Sequence, residues 1–248
     1  MKCCIALLLL ASPHISLGSE KVIVYTQYDS PPFWSADSGL SHELVRELSA
    51  RSKNRYQFEI QITPRKRIDL ILEDPHWQGL IPWSSPSWFQ DANQQRYLWS
   101  APLFRDADLV ISHAPLDYTG PYSLHGKVLG GILGHRYSEL EADIAAGKII
   151  RDDAPNQPSN LKKLRSQRVD VIFIPNSSWG ELRLKSPEQI RSLWVASQVR
   201  NTYERRILLS PNNPELARYV QATVLDLAKD QKWQQKIAPY HFSNQAAH

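Results

Sequence analysis

Several clusters of side chains in this sequence have the chemistry to hold a small molecule. Tyr28, Phe33 and Trp34 bracket the turn formers Asp29, Ser30, Pro31 and Pro32; their flat apolar faces suit stacking on a ligand or packing in a core. Trp83, Ser84 and Ser85 follow the apolar phrase Gly79 to Pro82 and offer an indole and two hydroxyls at the end of a strand. Arg65 stands in the basic run Pro64-Arg65-Lys66-Arg67. Its planar fork can clamp a carboxylate, although such runs also serve as solvated faces. Gly134, His135, Arg136 and Tyr137 precede a segment of helical spacing, where free amides and the helix dipole would suit an anion. Asn176, with Ser177 and Ser178 behind it, follows the apolar run Val169 to Ile174 and can supply neutral hydrogen bonds or a helix cap.

Catalytic signatures are poor. His42-Glu43 opens like a zinc-protease helix, but the second histidine position holds Arg46, so the motif fails. Gly130-Gly131-Ile132-Leu133-Gly134 lacks dinucleotide-loop spacing, no phosphate-binding loop occurs, and no Gly-x-Ser-x-Gly elbow surrounds any serine. The eight histidines have no metal-ligand spacing. Neither a catalytic residue, a metal nor a cofactor is expected, and the chain reads as a binder rather than an enzyme. A formal net charge of +4, with acidic residues interspersed, is too weak to argue for nucleic acid.

The elements that would position these clusters alternate. Lys21 to Gln27 is a β-branched strand; Leu40, Leu44, Val45 and Leu48 recur at helical spacing, with Ser41 placed to cap that helix and Glu43 in its first turn; Tyr56 to Ile62 alternates as a second strand. Arg67 to Leu72 reads as a short helix and Gly79 to Pro82 as a brief strand. A second β-α-β pattern runs through Lys127 to Leu133, Tyr137 to Ala146 and Lys148 to Ile150, with Gly147 as the helix stop. Asn160 to Gln167 and Val169 to Ile174 follow as helix and buried strand, Ile207 to Leu209 as a strand, and Pro214 to Lys229 and Gln231 to Ile237 as closing helices. Ahead of all this, Lys2 and the apolar run to Leu10, then Ser16-Leu17-Gly18, have the form of a secretory signal peptide with Ser19 as the first mature residue. Cys3 and Cys4 would leave with it, so neither a disulfide nor a lipid anchor is expected.

The order of elements and a series of local phrases resemble the bacterial periplasmic solute-binding proteins of family 3, which serve polar amino acid uptake. The phrases are Ser30-Pro31-Pro32-Phe33 before Gly39, Gly79-Leu80-Ile81, Tyr97-Leu98-Trp99-Ser100-Ala101-Pro102-Leu103, Gly126-Lys127-Val128, Gly134-His135-Arg136-Tyr137, Arg168-Val169-Asp170-Val171 and Pro214-Glu215-Leu216. The resemblance implies an α/β fold, a two-lobed type II periplasmic-binding clamshell in which each lobe is a mixed sheet flanked by helices. Residues 19–107, completed by 205–248, would form lobe one, and 108–204 a second lobe inserted between two hinge strands. It also implies a monomer, free in the periplasm, that captures a small-molecule ligand and passes it to an ABC permease or presents it to a membrane sensor. A dehydratase-like enzyme on the same fold is the remaining alternative. Relatives that bind α-amino acids carry an arginine after the Ser/Thr-Pro turn and an acid after the Val-Asp strand. Here those positions hold Trp88 (or Asn93, counted back from Trp99) and Pro175, followed by Asn176. The resemblance therefore points to a polar or anionic solute without naming it, with Arg65 as a substitute clamp.

Overall fold

The computed structural model describes residues 19–243; the expected leader, with both cysteines, lies outside them. In chain order the elements are β1 (Glu20–Thr26), α1 (Leu40–Arg51), β2 (Tyr56–Ile62), α2 (Arg65–Glu73), β3 (Leu80–Ser84), β4 (Leu98–Trp99), β5 (Phe104–Ser112), β6 (Val128–Ile132), α3 (Glu141–Ala145) and β7 (Ile150–Ala154). They continue with α4 (Gln157–Arg165), β8 (Val171–Pro175), α5 (Asn176–Lys185), β9 (Trp194–Val195), β10 (Asn201–Leu209), α6 (Pro214–Leu227) and α7 (Gln231–Ile237).

Hydrogen bonds run through the strands in the order β2-β1-β3-β10-β5-β8-β6-β7, with β4 beside β10 and β9 beside β5. The middle of that path decides the architecture. Asn201 to Arg205 of β10 pair antiparallel with Asp108 to Phe104 of β5, whereas Arg206, Leu208 and Leu209 of the same strand pair with β3, and the last two also with β4. One strand thus serves two sheets and changes partners between adjacent residues. On one side, Val22, Val24, Leu44, Leu48, Val220, Val224 and Trp233 belong to one core. On the other, Val110, Leu129, Tyr137, Val171 and Phe173 belong to a second.

The first loop is set by α1. Gly39 has φ 114° and lies so close to the Phe33 carbonyl that a Cβ there would stand 2.7 Å from its oxygen, so only glycine fits. The amides of Leu40 and Ser41 then donate to the carbonyls of Pro32 and Phe33 at 2.8 and 2.9 Å. Backbone carbonyls satisfy the free helix amides, and the expected Ser41 side-chain cap does not form. Its hydroxyl instead accepts from Trp83 Nε1 at 2.9 Å. The closing helices are capped as their sequences suggest: Asn213 accepts from the Leu216 amide at 2.9 Å, and Asp230 from the amides of Lys232 and Trp233 at 2.9 and 3.1 Å.

Two expectations need correction. The helix expected over Tyr137 to Ala146 is only Glu141–Ala145. Tyr137 is drawn out of it because its hydroxyl accepts from the Ile132 amide at 3.0 Å and its ring packs on Phe173. The turn at residues 134–137 therefore does not open a helix, and the dipole argument for an anion there falls. Second, β10 is much longer than Ile207 to Leu209 and α5 was not anticipated; both bear on the site.

Candidate functional site

Side chains on paired antiparallel strands share a face with a period of two. On β5 that places Phe104, Asp106 and Asp108 together, and on β10 Tyr203 and Arg205 beside them. Phe104, Asp106, Tyr203 and Arg205 are buried. A buried sheet face is ordinarily apolar; this one carries carboxylates and a guanidinium, and such groups are retained inside only when paired.

Arg205 and Asp106 are both fully inaccessible and bond Nε to Oδ2 at 2.6 Å. Arg205 Nη1 also donates to the Tyr28 hydroxyl at 2.7 Å and to the Trp83 carbonyl at 2.8 Å. Asp106 accepts from the amide and hydroxyl of Ser177, at 3.1 and 2.7 Å, so the first turn of α5 is tied to the same pair. The Trp83 carbonyl reaches Arg205 because β3 bulges there: the register with β10 shifts between Arg206 and Leu208, and Trp83 takes φ 62°. That conformation is costly for a bulky residue and persists only where its surroundings fix it. Burial alone would lower the Arg205 pKa, but Tyr28, Tyr203 and Asp106 outweigh it and raise it.

A second pair lies at the edge of the same face. Arg200 Nη1 donates to Asp108 Oδ2 at 2.8 Å, and its Nε and Nη2 to Glu139 at 2.5 and 3.0 Å. Its guanidinium stands 4.9 and 4.8 Å from the rings of Tyr137 and Phe173. Tyr203 also donates to Asp108, at 2.9 Å. Burial raises the Asp108 pKa despite Arg200 and Tyr203. Burial would raise Glu139 too, but Arg200 reverses the sign and holds it below the usual carboxylate range. Unlike the Arg205 pair, Arg200 and Asp108 keep 9% and 14% side-chain exposure, and Glu139 is 41% exposed.

The residues singled out in the sequence fall into distinct places. Tyr28, Phe33 and Trp83 converge on Arg205. Arg65 opens α2, with its side chain mostly buried rather than on a solvated face; it donates to Asp69 at 2.9 Å and to the Trp88 carbonyl at 2.6 Å, over the Phe89 ring. The turn of Gly134 and His135 comes up against it, since a Cβ on Gly134 would meet Lys66 Cγ at 3.4 Å and Arg65 Cβ at 3.8 Å. The His135 carbonyl accepts from Arg151 at 3.0 Å. Burial first, then Arg65, Arg151 and Arg200, push the His135 pKa down to about 4. Tyr137 lies beneath Arg200, with burial pushing its hydroxyl up to about 12, whereas Arg136 points to solvent beside Glu141. Ser84 and Ser85 bond locally, to the Pro82 carbonyl and the Ser87 hydroxyl. Trp34 stacks on His42 at 4.5 Å and lines a groove of about 200 Å³ with Pro31, Pro32, Glu181 and Tyr240. Asn176 donates to the carbonyl of Tyr240, which lines the same groove as Trp34. Asp106, Asp108, Arg200, Tyr203 and Arg205 were not anticipated. The signal for them was the alternation of Tyr203, Arg205 and Ile207, with a charge at an inward position.

Solved structures align with nearly the whole chain. An ancestral arginine-binding protein bound to arginine superposes with a TM-score of 0.71 at 14% identity, over 90% of this chain and 99% of that one. The substrate-binding protein of an amino acid ABC transporter gives 0.66 at 13%, over 89% and 98%. A Salmonella typhimurium periplasmic binding protein of high arginine specificity gives 0.67 at 13%, over 90% and 100%. The fold is the two-lobed clamshell of the periplasmic binding proteins. No protein-family model and no curated protein matches the sequence, so these likenesses carry the fold alone. Within the chain, the antiparallel pairing of β5 and β10, and the change of partner along β10, join the two cores. These neighbours are binding proteins rather than enzymes. Among the described residues no cluster of His, Cys, Asp and Glu could hold a metal, and no helix is long and apolar enough to cross a membrane.

Proposed function

We propose that this chain is a periplasmic solute-binding protein that captures a small polar or anionic molecule between its lobes, for an ABC importer or a membrane sensor. The observation that carries the proposal is the partner change within β10, which makes two antiparallel strands the link between two cores. Such a link lets one body turn against the other, and a ligand that touches both favours the closed arrangement by its differential affinity. The lobes would be residues 19–107 with 205 onward, and 108–204. The partner change between Arg205 and Arg206 falls one residue beyond the second boundary.

With β5 and β10 as the connecting strands, the charged face would form the floor between the lobes, and recognition would fall to groups of that floor and its rim that are not sealed away: Asp108, Arg200, His135 and Arg65. Neutral at pH 7, His135 can donate or accept one hydrogen bond there. The test is a thermal-shift screen of the protein against amino acids, their derivatives, organic acids, polyamines and small peptides. A ligand at about a hundred times its dissociation constant stabilises by about 2.7 kcal/mol. For a chain of this size that is roughly 5–10 °C. A broad panel without a shift would refute the reading, and turnover of a hit would move it to the enzyme alternative. With an anionic hit, Arg65→Ala should weaken binding tenfold or more; unchanged affinity removes Arg65 from the site.

A further inference from the structure

Arg205 lies inside a box of aromatic rings. Its Cζ is 4.5 Å from the centroid of Phe33, 5.2 Å from Tyr28, 5.3 Å from Tyr203, 5.5 Å from Trp88 and 6.0 Å from Phe104. These rings come from the first loop, the turn after β3, and both connecting strands. Around the rim stand acceptors only: the Asp106 carboxylate on Nε, and the Tyr28 hydroxyl and Trp83 carbonyl on Nη1. Negative ring faces, one carboxylate and a carbonyl aimed at a planar fork are what a protein uses to recognise a free guanidinium. The Trp83 conformation at the β3 bulge is what turns its carbonyl to Nη1, so the backbone itself is shaped to this cation.

We infer that Arg205 is a specificity-determining residue: its side chain permanently occupies a guanidinium cage at the floor of the cleft, closing that subsite to ligands bearing a guanidinium or similar cation. Recognition is then left to the Asp108 and Arg200 edge, which suits anionic or uncharged polar solutes. The filled cage stands independently of the solute-binding reading; the consequence for ligand choice rests on it.

Chemical rescue tests this. Arg205→Ala leaves the rings, Asp106 and the Trp83 carbonyl in place around a hole shaped for the missing group. Methylguanidinium should bind this variant, and at about ten times its dissociation constant raise the melting temperature by about 3–6 °C. Wild type should show no such rise, and methylammonium at the same ionic strength a much smaller one. The double variant Arg205→Ala with Asp106→Asn should lose the response. Equal responses of the single variant to the two cations, or a wild-type response to methylguanidinium as large as the variant's, would overturn the inference. If Arg205→Ala is recovered unfolded, the yield of folded protein on refolding with each cation, read by tryptophan fluorescence, is the same comparison, and equal yields overturn it. A wild-type solute screen without hits would sink the solute-binding reading while leaving the rescue result standing.

Discussion

Arg205 and Arg200 use the same ingredients and reach opposite conditions. Each pairs with an aspartate of β5, and each lies against aromatic rings. Around Arg205 the rings and the Trp83 carbonyl shut out water completely, whereas Arg200 meets a partly solvated Glu139. The difference lies in what covers each pair. Arg205 is covered by Tyr28, Phe33 and Trp83, on the first loop and β3; Arg200 has only Tyr137 and Phe173 against it. A sealed ion pair has no route for exchanging partners, and losing either member strands the other charge. An edge pair can trade a protein carboxylate for one on a ligand.

The comparison can be broken most forcefully at the sealed pair. Arg205→Ala should lower stability by about 3–5 kcal/mol in urea unfolding, because Asp106 is left buried without its cation. Replacing both, Arg205→Met with Asp106→Leu, should recover much of that loss, since no charge is then stranded. If the double variant is no better than the single one, stranded charge is not the cause. Arg200→Ala should cost less, about 1–2 kcal/mol, because water can reach Asp108 and Glu139; a loss equal to that of Arg205→Ala would erase the distinction.

The edge should also own the acid sensitivity. His135 binds its proton at about pH 4 when folded and near 6.5 when unfolded. The unfolded state therefore takes up the proton first as pH falls. This contribution is absent above the unfolded pKa, and stability is lost between about pH 6.5 and 4. The loss should be of order 1–2 kcal/mol once partial solvent access is discounted, and His135→Gln should flatten it in urea titrations across that range. By NMR, the His135 pKa should rise in Arg200→Ala, which removes one of the charges that depress it. Arg205 is sealed away and neutralised by Asp106, so Arg205→Lys should leave it nearly unchanged; an equal rise in both variants would mean the two pairs are one network. The smallest effect is expected at Ser41→Ala, about 1 kcal/mol, from leaving the Trp83 indole without its acceptor.

Much of the fold was legible because hydrophobic period and secondary structure agree. β2 and α7 match their expected spans, and the Leu40, Leu44 and Leu48 stripe of α1 is buried. Tyr28, Phe33 and Trp83 could be read from the sequence only as aromatics at strand ends; neither their convergence nor what they surround could. The first half of β10 was missed because its pattern places Arg205 where an apolar residue belongs; only a partner from a distant strand, Asp106, makes that position tolerable. The segment from Tyr137 was misread because helical spacing cannot report that one hydroxyl is claimed by the Ile132 amide. Of the positions where the resemblance expected charges, Trp88 (the alternative to Asn93) flanks Arg205, and Pro175 lies directly across from Asp108 in the sheet. Sequence spacing along one segment has no access to such proximity between segments.

The partner change in β10 also has a mechanical meaning. Arg205 belongs by its backbone to the pairing with β5, yet its side chain is fastened to Tyr28 and Trp83, which travel with β1 and β3. Under the proposed division these bonds lie within lobe one, and the link across to lobe two is Asp106 to the amide and hydroxyl of Ser177. A closing motion that keeps that link would displace the chain least near Asp106 and most at the rim, where the turn at Gly134 meets Arg65 and Lys66.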